Sequence, residues 1–318
     1  MPQKPLIIAL EEHYADAEIQ ATFAGMDAAK LPKISERLDD VGALRIREMD
    51  EAGIDIQVLS HTAPSVQKLE PEAAIRLARA ANDRLHQTVL AHPKRFAAFA
   101  ALPTPDPRGA ADELERAVTK LGFKGAMIHG LTRGRFLDEE FFWPVFERAA
   151  ALDVPLYIHP AIPHPAVMDV YFKDYAQSWP MFPRAAWGFT METATQAIRL
   201  VMSGVLEKHP ARIILGHLGE GLPFLLWRID HSLKRAGGGA KGFRDVFCEH
   251  FYITTSGFFS NPALLCSVME MGIDRIMFSV DYPFVDNTLA TGWIDKIPLC
   301  REDREKLLSG NARRLLKL

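Results

Sequence analysis

The chain has 318 residues, of which 48% are hydrophobic, and its 37 basic and 40 acidic side chains give a formal net charge of -3. Hydrophobic content on this scale supplies a large core, and α/β barrels of this length fold as one unit, so residues 1–318 are expected to form a single domain. The two signs of charge are well mixed, which leaves no basic stripe for nucleic acid and no polybasic membrane anchor; the expected partner is a small molecule.

The first apolar run, Leu6–His13, has only five consecutive apolar residues before Glu11, too few for a signal-peptide core or a membrane span. Alternating strand and helix patterns follow along the chain. Strands are predicted at Leu6–His13, Ile54–His61, Phe96–Leu102, Gly125–His129, Pro155–His159, Ile213–Leu218, Phe251–Ser256 and Arg275–Asp281. Between them, apolar spacing of three and four predicts helices over Arg37–Ala52, Glu72–Ala91, Ala110–Leu121 after the turn at Pro103, Pro105 and Pro107, Leu222–Lys234, and Glu302–Leu316. Pro160–Pro183 reads as a long irregular loop whose aromatics, among them Tyr171, Tyr175 and Trp179, suit packing over a site or onto a neighbouring subunit. Gly237-Gly238-Gly239 reads as a plain linker. Cys248, Cys266 and Cys300 follow no metal-binding spacing, which argues against a disulfide framework and points to a reducing, cytoplasmic setting.

Eight strand–helix units predict an α/β fold of the TIM (β/α)8 barrel type, whose active site lies at the carboxyl ends of the strands. A doubly wound open sheet is the alternative, but no Gly-x-Gly-x-x-Gly follows the first strand. Five of the 11 histidines end apolar runs, at His13, His61, His129, His159 and His217, and another run ends at Asp281. A lone histidine is more often a hydrogen-bonded core residue or a cap, and His86, His92, His209, His231 and His250 are read that way, with His164 undecided. Independent structural histidines have no reason to share one end of one barrel.

Residues two apart on a strand face the same side, so Glu11 and His13 both reach the barrel mouth while Glu12 faces away. With His159 and Asp281 they make a nitrogen and oxygen ligand set suited to Zn²⁺ or Mn²⁺, with a position left open for water or substrate. His61 is the least secure of the group. His217 and Glu220, in Leu215-Gly216-His217-Leu218-Gly219-Glu220-Gly221, suit proton transfer near neutral pH, although the same turn also suits a helix cap with Glu220 answering the helix dipole. Arg228 suits either an outer ion pair or a substrate carboxylate.

The residues Ala9-Leu10-Glu11-Glu12-His13, Arg79-Ala80-Ala81-Asn82-Asp83, Gly216-His217-Leu218-Gly219-Glu220-Gly221-Leu222-Pro223, Ile253-Thr254-Thr255-Ser256-Gly257 and Phe278-Ser279-Val280-Asp281-Tyr282-Pro283-Phe284 carry a resemblance. The chain resembles the amidohydrolase superfamily, in its branch of aminocarboxymuconate-semialdehyde and hydroxybenzoate decarboxylases. Within that branch it looks most like the γ-resorcylate (2,6-dihydroxybenzoate) decarboxylases. The resemblance implies one divalent metal ion, Zn²⁺ or Mn²⁺, held by Glu11, His13, His159 and Asp281, with His217 and Glu220 as a catalytic pair. It further implies an aromatic ortho-hydroxy carboxylic acid as substrate, Asp281 as proton donor to the ring carbon, release of CO₂ in a reversible reaction, and a homo-oligomer, dimer or tetramer. Phe23 is implied to pack on the ring, and with His129, Arg228, Tyr282 and Phe284 it makes up the expected substrate contacts. This chain departs from the pattern where His129 replaces an Asn, Tyr282 a Trp, and Val285 an acidic residue. A mononuclear hydrolase of a lactone or amide is the rival reading, and a non-catalytic metal-binding barrel a weaker one.

Overall fold

The structure is a computed structural model that describes residues 5–28, 32–235 and 242–318; the linker read at Gly237-Gly238-Gly239 lies outside them. Nine strand segments run in chain order: β1 (Ile8–Tyr14), β2 (Ile56–His61), β3 (Phe96–Ala98), β4 (Ala100–Ala101), β5 (Ala126–His129), β6 (Pro155–His159), β7 (Arg212–Leu215), β8 (Phe251–Thr254) and β9 (Ile276–Met277). Every pairing is parallel and joins neighbours in sequence, from β1 to β3 and from β4 to β9. The expected third strand is therefore broken at Phe99, whose N–H donates back to the Leu59 carbonyl at 2.9 Å. At the other join, His13 N–H donates to Tyr282 O at 2.7 Å and Asp281 N–H to Glu11 O at 3.1 Å. These bonds bring the last strand beside the first, as a TIM barrel requires.

Ile8, Leu10, Val58, Phe99, Met127 and Tyr157 pack inside the ring with Leu315 and Leu316 of the last helix. Ile7, Ala9, Leu59, Ile128, Ile158 and Ile213 pack outward against the helices. Strands covered on both faces explain the near-continuous apolar runs in the sequence.

Strict alternation from Ile8 and Leu10 inside would put Glu12 inside as well. It does not, because β1 carries an irregularity in register against β2: three steps from Ala9 to Glu12 face two steps from Gln57 to Leu59. One extra residue in a strand is a β-bulge, and it turns Glu11 and His13 into the mouth.

Several expected elements are differently bounded. Arg37–Ala52 is two helices, Pro32–Asp39 and Ala43–Ala52, parted where Asp40 Oδ1 accepts from Gly42 N at 2.8 Å. Only Ile276–Met277 of the run Arg275–Asp281 pairs as strand, and β7 stops at Leu215 because the chain turns sharply after it. Pro160–Pro183 is mostly short helical turns, including Pro165–Val167, Met168–Phe172 and Lys173–Ala176, with Phe172 buried beneath them. All three cysteines are free, and no helix among the described residues is long and apolar enough to cross a membrane.

Candidate active site

Five side chains from β1, β6 and the chain just past β7 and β9 converge at the carboxyl mouth. Glu11, His13, His159 and Asp281 each offer one ligand atom, and these atoms lie within 4.8 Å of one another. Glu11 Oε1 is 3.2 Å from His159 Nε2, 3.4 Å from His217 Nε2 and 3.8 Å from His13 Nε2. His13 Nε2 in turn is 3.3 Å from Asp281 Oδ1. Glu11 and His13 are wholly buried, yet Glu11 Oε1 and His13 Nε2 have no well-directed hydrogen bond among the described residues. Buried polar atoms are nearly always bonded. Two orphans aimed at one point, with oxygen and imidazole donors and no thiolate, fit a divalent cation.

The outer partners fix that aim. His159 Nδ1 donates to Pro160 O at 2.7 Å, which leaves the Nε2 lone pair facing the centre. Glu11 Oε2 accepts from Ser256 Oγ at 2.6 Å and from the Tyr157 hydroxyl, itself 2.7 Å from Thr254 Oγ1. Glu12, on the opposite face as expected, accepts from Ser279 Oγ at 3.0 Å, Val280 N at 2.9 Å and Tyr282 N at 3.3 Å. It thereby grips the backbone on both sides of Asp281, which is held at φ 75°.

Charge in the site is finely balanced. Burial would raise the Glu11 carboxyl, but His217, His159 and His13 hold it well below the usual carboxylate range. Burial would lower His13, but Asp281 and Glu11 push it up to about 9. His217 is likewise held well above its usual value by Glu220 and Glu11 against the effect of burial. Protons on these imidazoles balance the carboxylates, and a bound cation takes over that task.

The turn carrying His217 runs left-handed, with φ of 51° at His217, 52° at Leu218, 76° at Gly219, 55° at Glu220 and 74° at Gly221. Each non-glycine residue there costs roughly 1–2 kcal/mol, a load found mainly at functional sites. The turn sets His217 Nδ1 2.7 Å from Glu220 Oε1, so the imidazole turns Nε2 to the metal cluster. Glu220 Oε1 therefore serves His217, and its other oxygen, Oε2, has no hydrogen-bond partner among the described residues.

A cavity of 380 Å³ opens above these groups; His159, His217 and Asp281 form its floor, and Phe23 and Phe284 stand in its walls. A family model for amidohydrolases matches residues 13–318. The chain belongs to the amidohydrolase family. A γ-resorcylate decarboxylase of Polaromonas sp. (strain JS666) is 42% identical, with 98% of each chain covered. The crystal structure of a dihydroxybenzoic acid decarboxylase from Polaromonas sp. JS666, with bound manganese and the inhibitor 2-nitroresorcinol, superimposes with a TM-score of 0.89 at 40% identity, covering 99% of this chain and 98% of that one. The structure of 5-carboxyvanillate decarboxylase from Sphingomonas paucimobilis superimposes with a TM-score of 0.92 at 34% identity, covering 99% of this chain and 100% of that one.

Within this amidohydrolase barrel, three expected substrate contacts do not line the cavity. His129 is 1% exposed and lies behind His159, with its Nδ1 3.0 Å from His159 Nδ1, because register pairs the two residues on β5 and β6. Tyr282 is buried under the Arg45 guanidinium, 4.5 Å from its ring centre, and donates to Glu48 Oε2 at 2.8 Å. Arg228 is exposed on the helix Leu222–Arg235, outside the cavity. His61 accepts from Asp16 N at 3.0 Å, and its burial lowers it to about 4, so it acts as a neutral brace rather than a ligand. His164 caps the turn Pro165–Val167.

Sequence reasoning missed Tyr157, Ser256 and Arg184. Tyr157 was findable, since it stands two residues before His159 on the same face of β6. Arg184, in the cavity wall, carried no signal: it lies one residue past the stretch read as a loop.

Proposed function

We propose that the chain is a metal-dependent, non-oxidative decarboxylase of ortho-hydroxy aromatic carboxylic acids of the hydroxybenzoate type. The observation that carries this reading is the pairing of two orphaned ligand atoms, Glu11 Oε1 and His13 Nε2, with a His217–Glu220 couple on the floor of a cavity sized for one aromatic ring. One Zn²⁺ or Mn²⁺ would be held by Glu11, His13, His159 and Asp281, and the manganese in the Polaromonas structure favours Mn²⁺. When bound, the ion supplies Lewis-acid polarisation and a fixed seat for the substrate carboxylate and ortho-hydroxyl oxygens.

Phe23 and Phe284 pack on the ring and exclude water. Asp281 delivers a proton to the ring carbon that bears the carboxylate; the electron pair of the breaking C–C bond restores the aromatic ring as CO₂ leaves. His217 Nε2, 3.8 Å from Asp281 Oδ2, returns a proton to Asp281 while Glu220 stabilises the imidazolium. The steps are reversible, so carboxylation of a phenol runs at high bicarbonate. A homo-oligomer, dimer or tetramer, is supported by the helix Leu222–Arg235, where Arg228 sits beside Phe224, 81% exposed, and Trp227, 69% exposed. The three free cysteines suit a reducing cytoplasm.

The test is CO₂ release from 2-, 3- and 4-hydroxybenzoates and 2,6-dihydroxybenzoate by protein of measured metal content. Release confined to the ortho-hydroxy acids and dependent on added Mn²⁺ or Zn²⁺ is expected. No release from any of them, with turnover of a lactone or amide instead, would transfer the site to a mononuclear hydrolase.

A further inference from the structure

His129 ends its strand as the ligands do, yet it lies behind one of them, and its bonds there give it a task of its own. His129 closes β5 and His159 closes β6, in register with each other, and Gly130 N donates to His159 O at 2.8 Å. Gly130 permits this closeness: it is held at φ 55°, and a Cβ there would stand 2.6 Å from Ala161 Cβ. The two imidazoles meet edge to face, with centroids 4.8 Å apart and planes at 70°, and His129 Nδ1 is 3.0 Å from His159 Nδ1. Pro160 O lies 2.7 Å from that same His159 nitrogen.

A carbonyl only accepts, so the Nδ1 proton belongs to His159. Two N–H groups do not face each other across 3.0 Å, so His129 Nδ1 is a bare lone pair that accepts a share of that proton. The His129 ring is thereby neutral, with its own proton on Nε2, and it also bonds the His61 backbone, which anchors it from behind. Metal-binding histidines ordinarily give this proton to one acceptor. His159 has two. Each draws the proton outward, which fixes the ring and makes Nε2, the atom 3.2 Å from Glu11 Oε1, a stronger electron donor. We infer that His129 is a positioning residue for the metal centre: it locks the tautomer and plane of His159 and strengthens its hold on a divalent cation, in place of touching the substrate. The inference rests on the metal set of the decarboxylase reading and on none of its reaction steps.

The test joins metal affinity to a direct reading of the proton. Dissociation constants for Zn²⁺ and Mn²⁺ are measured by competition calorimetry on the metal-free native chain, on His129→Leu, which fills the space without an acceptor, and on His129→Asn, whose amide oxygen accepts in place of Nδ1. His129→Leu is expected to bind both ions roughly 10- to 100-fold more weakly, and His129→Asn to regain most of that loss. Nitrogen NMR of the Zn²⁺-loaded native chain labelled with ¹⁵N-histidine, with His129 assigned by its absence from the spectrum of His129→Asn, should show Nδ1 unprotonated and Nε2 protonated. Native affinity in His129→Leu or a proton on His129 Nδ1 overturns the inference. So do equal losses in the two variants, which would make His129 a packing group alone. The spectrum is read on the native chain, so it decides even where His129→Leu does not fold. None of these readouts uses turnover, so a failed CO₂ assay removes the decarboxylase reading and leaves the role of His129 to stand or fall on its own.

Discussion

Gly216 offers a sharp test of whether the aim of Glu11 decides metal binding. Its φ of -72° and ψ of -174° are open to any residue, so Gly216→Ala adds no backbone strain and acts only through its methyl group. That Cβ would stand 2.5 Å from Glu11 Oε2 and 3.3 Å from both Glu11 Cδ and Tyr157 Oη. Something must move by about 0.5 Å or more, and overpacking of this kind costs roughly 1–3 kcal/mol. Tyr157 and Ser256 hold the threatened oxygen, so the shift passes through the carboxylate to Oε1, which faces the three imidazoles. Misplacing a ligand through its outer partners typically lowers metal affinity or activity about 10- to 100-fold. The assay is Mn²⁺ titration of the metal-free protein by calorimetry, with thermal melting alongside. A Gly216→Ala variant that binds Mn²⁺ with native affinity and releases CO₂ at the native rate would refute the argument.

Other perturbations separate the roles of the site. Asp281→Asn should lower turnover by at least about a thousandfold and weaken Mn²⁺ binding, as read by single-turnover CO₂ release and calorimetry; near-native turnover removes Asp281 as the proton donor. His217→Asn should leave Mn²⁺ content intact, measured by atomic absorption, while activity collapses, whereas loss of the metal would place His217 among its ligands. Glu192, which accepts from His164 N at 2.7 Å, gives a pH signature elsewhere. Burial raises its carboxyl from 4.5 to about 7, so the folded chain keeps a proton that the unfolded chain releases between those values. Native stability should therefore fall by roughly 2–3 kcal/mol as pH rises through that window. Glu192→Gln, neutral throughout, should not show the fall in urea melts at pH 4 and pH 8; parallel losses in both proteins would discard the assignment.

The barrel and most of its metal cluster were legible because each rests on short-range periodicity. Buried parallel strands print as apolar runs, and a ligand at a strand end prints as a break in the run, which gave His159 and Asp281 directly. Glu11 and His13 were paired correctly by the period of two, but their entry into the mouth depends on the bulge after Ala9, which no pattern in the sequence announces. His129 shows the opposite failure: it ends a strand like the ligands, but its pairing with His159 on the adjacent strand puts it behind that ligand. Tyr282 read as a substrate contact from its place in a matching motif and Arg228 from its donor fork, while the surroundings of Tyr282 are set by contacts distant in sequence, such as Glu48, and Arg228 lies exposed outside the cavity. Arg184 meets Met26 across 158 positions, a closeness made only by the folded cover of the site.

The turn from His217 to Gly221 is a mirror image of the geometry that L-residues prefer. In an ordinary helix, residues three apart also share a face, yet the sweep from one to the other winds the opposite way. Moved onto a right-handed helix, His217 and Glu220 would still touch, but the carboxylate would approach the imidazole from the other side and swing Nε2 away from Glu11. The couple is thus chiral as an object, beyond the chirality of its residues. A search for the same His–carboxylate device in other proteins has to match its hand as well as its spacing.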